Sequence, residues 1–323
     1  MPRNRLYRDG TLADEDFPVT EVSRLLKDEG AVVWLDLCGP SESDMAAIAD
    51  ELGLHATSVE DALESHERPK LHQYDTHLLV NAYAVCLDES SGRLTTAEVS
   101  AFVTPRALVT VRNDDRFDMD AVVARWDDSS SLAGSGVGFL LHGLLDFVVD
   151  SHFDAVQAMD DHIESLEDLV FAQRPNTVDM QRRALAMRKS LVTLRRVVLP
   201  MREVLNSLMR RDHSVVDSRM VPYYQDVYDH VLRASEWTES LRDMVATIRD
   251  TQLNLQGNRL NLIMKKVTGW AAVIAVPTAV TGFYGQNVPY PGFGTTSGFW
   301  TSTVVVLVLS VGLYGLFKRR DWL

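Results

Sequence analysis

Residues 267–284 read VTGWAAVIAVPTAVTGFY and residues 299–317 read FWTSTVVVLVLSVGLYGLF. Neither stretch carries a charge, and each approaches the roughly 20 apolar residues that cross about 30 Å of hydrocarbon as a helix. Trp270, Tyr284, Tyr290, Phe299 and Trp300 fall near the ends of these stretches, where amphipathic rings favour a membrane–water interface. Arg259, Lys265 and Lys266 precede the first stretch, Lys318, Arg319 and Arg320 follow the second, and residues 285–298 contain no Lys or Arg. That asymmetry predicts two membrane spans with both outer flanks in the cytosol and the connecting loop outside. Plasma or inner-membrane lipid is then one partner of the chain.

Outward from the spans, the remaining sequence is polar. The chain has 323 residues and a formal charge of −13, which argues against nucleic acid as a partner. Residues 1–10 hold no apolar run, so no secretory signal is expected there. Cys38 and Cys86 are the only cysteines; a disulfide scaffold is excluded, and reduced thiols suit a cytosolic compartment. No P-loop, nucleophile elbow, zinc-protease or dinucleotide motif is present, so an enzyme is not expected. His55, His66, His72 and His77 lie near one another in sequence without a fixed ligand spacing.

Residues 1–135 read as an α/β domain. Strands are expected at 31–37, 78–85, 98–103 and 108–111, with Thr104-Pro105-Arg106-Ala107 turning between the last two. Helices are expected at 43–52 and 57–64, capped by Ser41 or Ser43 and by Thr57. The Ser- and Gly-rich residues 127–138 mark a boundary. Residues 136–222 read as a helical hairpin: 139–171 with an acidic stripe, a break at Arg174-Pro175-Asn176-Thr177, then 178–199 with a basic stripe. The acidic stripe can be a solvated or paired face, or it can concentrate cations. From 223 to 276 there is no proline, which predicts one long helix, about 80 Å if unbroken. Residues 251–262, TQLNLQGNRLNL, carry a single charge. Such a segment feeding into a span points to self-association around an axis, because two spans cannot enclose a polar path alone.

Tyr284-Gly285-Gln286-Asn287 ends the first span. Read alone, Gly285 and Asn287 can simply end a helix. In context the segment resembles the Tyr-Gly-Met-Asn signature of the CorA family of divalent-metal transporters. Asn261-Leu-Ile-Met-Lys-Lys-Val-Thr268 resembles that family's approach to its pore helix. Residues 200–208 (PMREVLNSL) and 221–230 (VPYYQDVYDH) resemble its stalk region, and Glu60-Asp61 with Arg68-Pro69-Lys70 its N-terminal domain.

The resemblance implies an α+β cytosolic domain, a long stalk helix at 223–266 and a two-helix transmembrane domain in a funnel-shaped homopentamer. The pore-lining span would cover 267–285, the outer loop 286–298, the second span 299–317 and a basic cytosolic tail 318–323. It implies passive transport of Mg²⁺, with Co²⁺ and Ni²⁺ also passing. Asn287, with Gly285 and Tyr284, would form the selective outer mouth; Gly285 is expected to supply the backbone freedom for the turn. Thr278 and Asn261 would add hydroxyl and amide rings, and Val267 a hydrophobic constriction. Asp88 and Asp226 would bind regulatory Mg²⁺ between neighbouring cytosolic domains; their plainer reading is a turn residue and a surface helix acid. Gln286 stands where the family has Met, and the outer loop has no Asp or Glu. Three readings follow: a Mg²⁺ channel, a Zn²⁺ or other transition-metal transporter of the same family, and a non-conducting membrane-anchored sensor or scaffold.

Overall fold

A computed structural model describes residues 3–64, 68–171, 177–210, 215–287 and 289–322. The chain divides into two compact units, residues 1–248 and 249–323.

The first unit is built on a seven-stranded sheet in the order β2-β1-β3-β7-β6-β5-β4. The strands are β1 (Arg3–Arg8), β2 (Thr11–Glu15), β3 (Ala31–Cys38), β4 (Lys70–Gln73), β5 (Leu78–Asp88), β6 (Arg93–Val103) and β7 (Ala107–Arg112). All neighbours are antiparallel except β3 and β7. Both faces are buried, which explains the unbroken apolar runs of β3 and β5. Side chains alternate across the sheet. Val33, Leu35 and Leu37 pack with Met45, Ile48 and Ala62 on one face, which carries α1 (Val22–Leu25), α2 (Glu42–Leu52) and α3 (Ala56–Leu63). Trp34, Val80, Ala82 and Leu108 pack on the other.

That second face is covered by helices, and here the boundary expected near residue 135 dissolves. α4 (Met119–Asp128), α5 (Val137–Phe171), α6 (Thr177–Leu208) and the start of α7 (Val221–Tyr284) share one core with the sheet. Leu140, Leu144, Val148, Leu191, Leu194, Tyr224 and Val231 belong to it. The Ser- and Gly-rich stretch is a short 3₁₀ turn at Ser130–Ser135, set between two packed helices. The break at residues 174–176 lies outside the described residues.

Two local expectations are corrected, and the choice between Ser41 and Ser43 is settled. α6 runs through Pro200 instead of stopping at Leu199. The proline removes one helical donor, but buried Val197, Val198, Met201, Val204 and Leu205 continue on both sides of it. The N-cap of α3 is His55, whose Nδ1 accepts from the Thr57 N–H at 3.2 Å; Thr57 sits inside the first turn. α2 has Ser41 as its cap, in a reciprocal capping box with Asp44.

The second unit contains the end of α7, a turn, and α8 (Thr296–Arg319). α7 is continuous for 64 residues with Pro277 inside it. α7 and α8 are both long and apolar enough to cross a membrane, and the apolar windows are only 6% and 0% buried. A core helix of a water-soluble unit would be covered by its neighbours; these are not.

Candidate ion pathway and cation sites

Val267, Ala271, Ile274 and Thr278 recur on α7 at steps of four, three and four, and all four are exposed. Val267 is 59% and Ile274 64% exposed. Gly269, Ala272, Val273, Val276, Pro277 and Val280 are buried or half-buried. The helix therefore has a covered face and an open one, and Thr278 belongs to the open one. The Thr278 Oγ1 donates to the Ile274 carbonyl at 3.1 Å, which leaves its lone pairs as acceptors. Pro277 has no N–H to give the Val273 carbonyl. One turn on, the Thr281 hydroxyl donates to the Pro277 carbonyl at 2.8 Å.

At the end of α7 the chain turns immediately. The Gly285 N–H donates to the Thr281 carbonyl at 2.8 Å and the Gln286 N–H to the Phe283 carbonyl at 3.3 Å. The Tyr284 carbonyl accepts the Tyr290 hydroxyl at 2.8 Å. Gln286 and Asn287 project exposed amides beyond this end; Val288 lies outside the described residues. Gly285 ends the helix without a left-handed backbone. Its constraint is steric instead: a Cβ there would lie 2.9 Å from the Thr281 carbonyl oxygen. The left-handed glycines of the loop are Gly292, at φ 92°, and Gly294, at φ 73°. Gly292 is also pressed against Gly298, where a Cβ would collide with the Gly292 oxygen.

Asn261 is exposed and lines a groove of about 650 Å³ with Asn258, Lys265, Thr268 and Trp322. Tyr284 and Gly285 line a separate groove with Thr281, Tyr290, Ser302 and Thr303. Every group from Gly285 to Gly298 is uncharged, so the whole turn between α7 and α8 offers amides, carbonyls and hydroxyls as hard oxygen donors.

The two regulatory candidates lie in the first unit. Asp88 ends β5 and accepts from the Ser90 N–H at 2.9 Å, the Ser90 hydroxyl at 2.7 Å and the Ser91 hydroxyl at 2.6 Å. The Ser91 and Ser90 bonds hold its carboxyl down at about 2, so it is ionised throughout the physiological range. Asp226 is exposed on α7. No hydrogen bond or ion pair joins Asp88 to Asp226 among the described residues. Each offers carboxylate oxygens of the kind Mg²⁺ takes.

One cluster of ligand-type side chains was not legible in the sequence. Asp146 and Asp150 on α5 and His230 on α7 are half-buried and bring their ligand atoms within 4.8 Å of one another. Arg125 on α4 bonds Asp146 at 2.8 Å and Asp150 at 2.7 Å. The acidic stripe showed the two aspartates; nothing local showed the histidine or the arginine. Nearby, burial pushes the His142 imidazole down, against the pull of the Asp146 and Asp226 charges.

The described histidines near β4 form no such cluster. The His77 ring nitrogens face the Ser58 hydroxyl at 2.8 Å and the Thr76 hydroxyl at 2.9 Å, and His55 caps α3. His72 is exposed, and His66 lies outside the described residues.

Comparison with known proteins gives one consistent picture. The family model described as CorA-like Mg²⁺ transporter protein matches residues 29–319. The cobalt/magnesium transport protein CorA of Thermotoga maritima is 29% identical over 95% of this chain and 89% of its own length. A putative metal ion transporter of Bacillus subtilis is 27% identical over 93% of each chain. The complete structure of the CorA magnesium transporter from Methanocaldococcus jannaschii superposes with a TM-score of 0.80 at 21% identity, covering 100% of this chain and 99% of that one. With the matched region running from β3 to the end of α8, the chain belongs to the CorA-like Mg²⁺ transporter family.

Proposed function

We propose that this protein is a passive channel for divalent cations, with Mg²⁺ as its main substrate. The observation that carries the reading is the exposed Asn287 amide, set one short turn beyond an uncharged span. Mg²⁺ gives up its water reluctantly and prefers six oxygens at ~2.1 Å. A ring of neutral amide oxygens accepts hydrogen bonds from that water shell without stripping it. A carboxylate ring would hold the ion too tightly to release it quickly.

Several copies of α7 must surround the path, and a homopentamer, as the family resemblance implies, provides them. Thr278 turns acceptor lone pairs to the same open face as Val267, where a hydrophobic ring can close by dewetting. Asn261 offers an amide toward the cytosolic end. Residues 1–266 and the basic tail face the cytosol under the positive-inside rule, and an inside-negative potential draws the cation through. Cytosolic Mg²⁺ closes the channel by bridging Asp88 of one subunit to Asp226 of the next. Facing carboxylates repel until a cation joins them, so the ion favours the closed arrangement by its difference in affinity.

The test is flux into proteoliposomes carrying a trapped Mg²⁺ indicator, with wild type and Asn287→Ala side by side. Losing the amide–water bonds is expected to lower Mg²⁺ flux by roughly tenfold or more. Flux of Zn²⁺, Co²⁺ or Ni²⁺ without Mg²⁺ would move the protein to a transition-metal transporter, the reading that Gln286 in place of Met favours. No flux of any ion through folded oligomers would leave a sensor or scaffold.

A further inference from the structure

Tyr290 sits six residues beyond the end of α7 and is held at both ends. Its hydroxyl donates to the Tyr284 carbonyl at 2.8 Å. Its ring meets Tyr284 edge-on at 5.1 Å, Phe293 edge-on at 5.3 Å and Phe283 at 6.3 Å between centroids. The last carbonyls of a helix have no intrahelical donor. Here Thr281 and Phe283 receive theirs from the Gly285 and Gln286 N–H groups, and Tyr284 receives a side-chain hydroxyl from across the loop. The residues between the two tyrosines include Gly285, Gln286 and Asn287. One phenol thus closes the selective segment into a ring of chain, clamped by a hydrogen bond and three aromatic contacts.

We infer that Tyr290 is the positioning residue of the outer mouth: its hydroxyl fixes the direction in which Asn287 presents its amide. This rests on the pathway proposed above. Two physical arguments carry it. First, the loop has no charged side chain, so an incoming cation meets only dipoles, and neutral dipoles discriminate between ions only when their directions are set in advance. Second, the phenol engages the carbonyl of Tyr284, which would otherwise be an alternative oxygen donor beside the amide. The bond both fixes the selective ligand and occupies a rival one.

The experiment compares wild type, Tyr290→Phe, Tyr290→Ala and Asn287→Ala, each as the full chain in lipid nanodiscs and in proteoliposomes. Tyr290→Phe keeps the ring and its packing and removes only the hydroxyl. Two readouts are taken: hydrogen exchange in the peptide covering Gly285, Gln286 and Asn287, and the ratio of Mg²⁺ to Co²⁺ and Ni²⁺ flux. Exchange in that peptide is expected to speed up by about fivefold in Tyr290→Phe, the scale of one lost hydrogen bond. The flux ratio is expected to shift by a similar factor, while oligomer and total protein fold stay as in wild type. Tyr290→Ala shifts both further. Unchanged exchange in Tyr290→Phe overturns the inference whatever the transport result. Faster exchange with an unchanged ion ratio, in a protein whose flux Asn287→Ala abolishes, also overturns it. Absence of flux in wild type removes the pathway reading itself, and the exchange measurement still decides whether the hydroxyl pins the loop.

Discussion

His152 is fully buried on α5, and its Nε2 donates to the Tyr83 carbonyl at 2.7 Å, while its Nδ1 has no partner among the described residues. Burial, only partly offset by that bond, lowers its pKa from the ordinary 6.5 to about 4. In the unfolded chain the imidazole takes a proton below 6.5; in the native state it refuses one until about 4. Stability is therefore whole above pH 6.5 and falls as pH drops through that window, by up to roughly 3 kcal/mol for this residue. Unfolding midpoints measured across pH 7 to 4 should drop less in His152→Gln, which keeps a donor and cannot titrate. At the same scale, Gly285 teaches that a glycine in a signature need not mean a left-handed turn. It is small because a backbone oxygen is in the way, a fact that residue identity alone does not carry.

Between elements, the parallel junction of β3 and β7 is tied by a buried network. Asp36, 3% exposed, accepts from the Arg112 guanidinium and from the Thr110 hydroxyl at 2.7 Å. Arg112 also donates to the Phe117 carbonyl at 3.0 Å. Asp36→Ala would leave the largely buried guanidinium without its counter-charge, and is expected to cost about 3–5 kcal/mol, read as a lowered denaturant midpoint. Elements of this kind divide sharply in how far sequence exposes them. β3, β5, β6 and β7 announce themselves as apolar runs because both sheet faces are covered. β1 and β2, RNRLYR and TLADE, do not: Arg5 is buried only because Glu15 and Asp127 meet it, and Asn4 because it exchanges bonds with the Phe17 backbone. Such partners lie on other elements, and no local pattern shows them. The same holds at the candidate cation sites. Asn287, Thr278 and Asn261 were named through a family resemblance, whereas Tyr290 and the Asp146–Asp150–His230 cluster became visible only when distant residues met.

For the whole molecule, the membrane reading makes a prediction of sidedness. Cys38 and Cys86 are both free and exposed in the first unit, and the spans begin near residue 267. A membrane-impermeant maleimide should label both thiols in inside-out vesicles and neither in sealed right-side-out ones. Labelling in right-side-out vesicles would reverse the topology and with it the direction assigned to the outer loop.

The edges of the sheet bear on how such a chain survives its own synthesis. Residues 1–248 leave the ribosome first and must stay in water while the apolar residues 267–317 are still being made. An open strand edge is a template on which another copy can add and aggregate. Here one edge is β2, five exposed residues ending in Asp14 and Glu15, and the other is β4, four residues beginning with Lys70. Both edges are short, and the acidic end of β2 and the lysine that opens β4 blunt them as templates for a neighbour's strand.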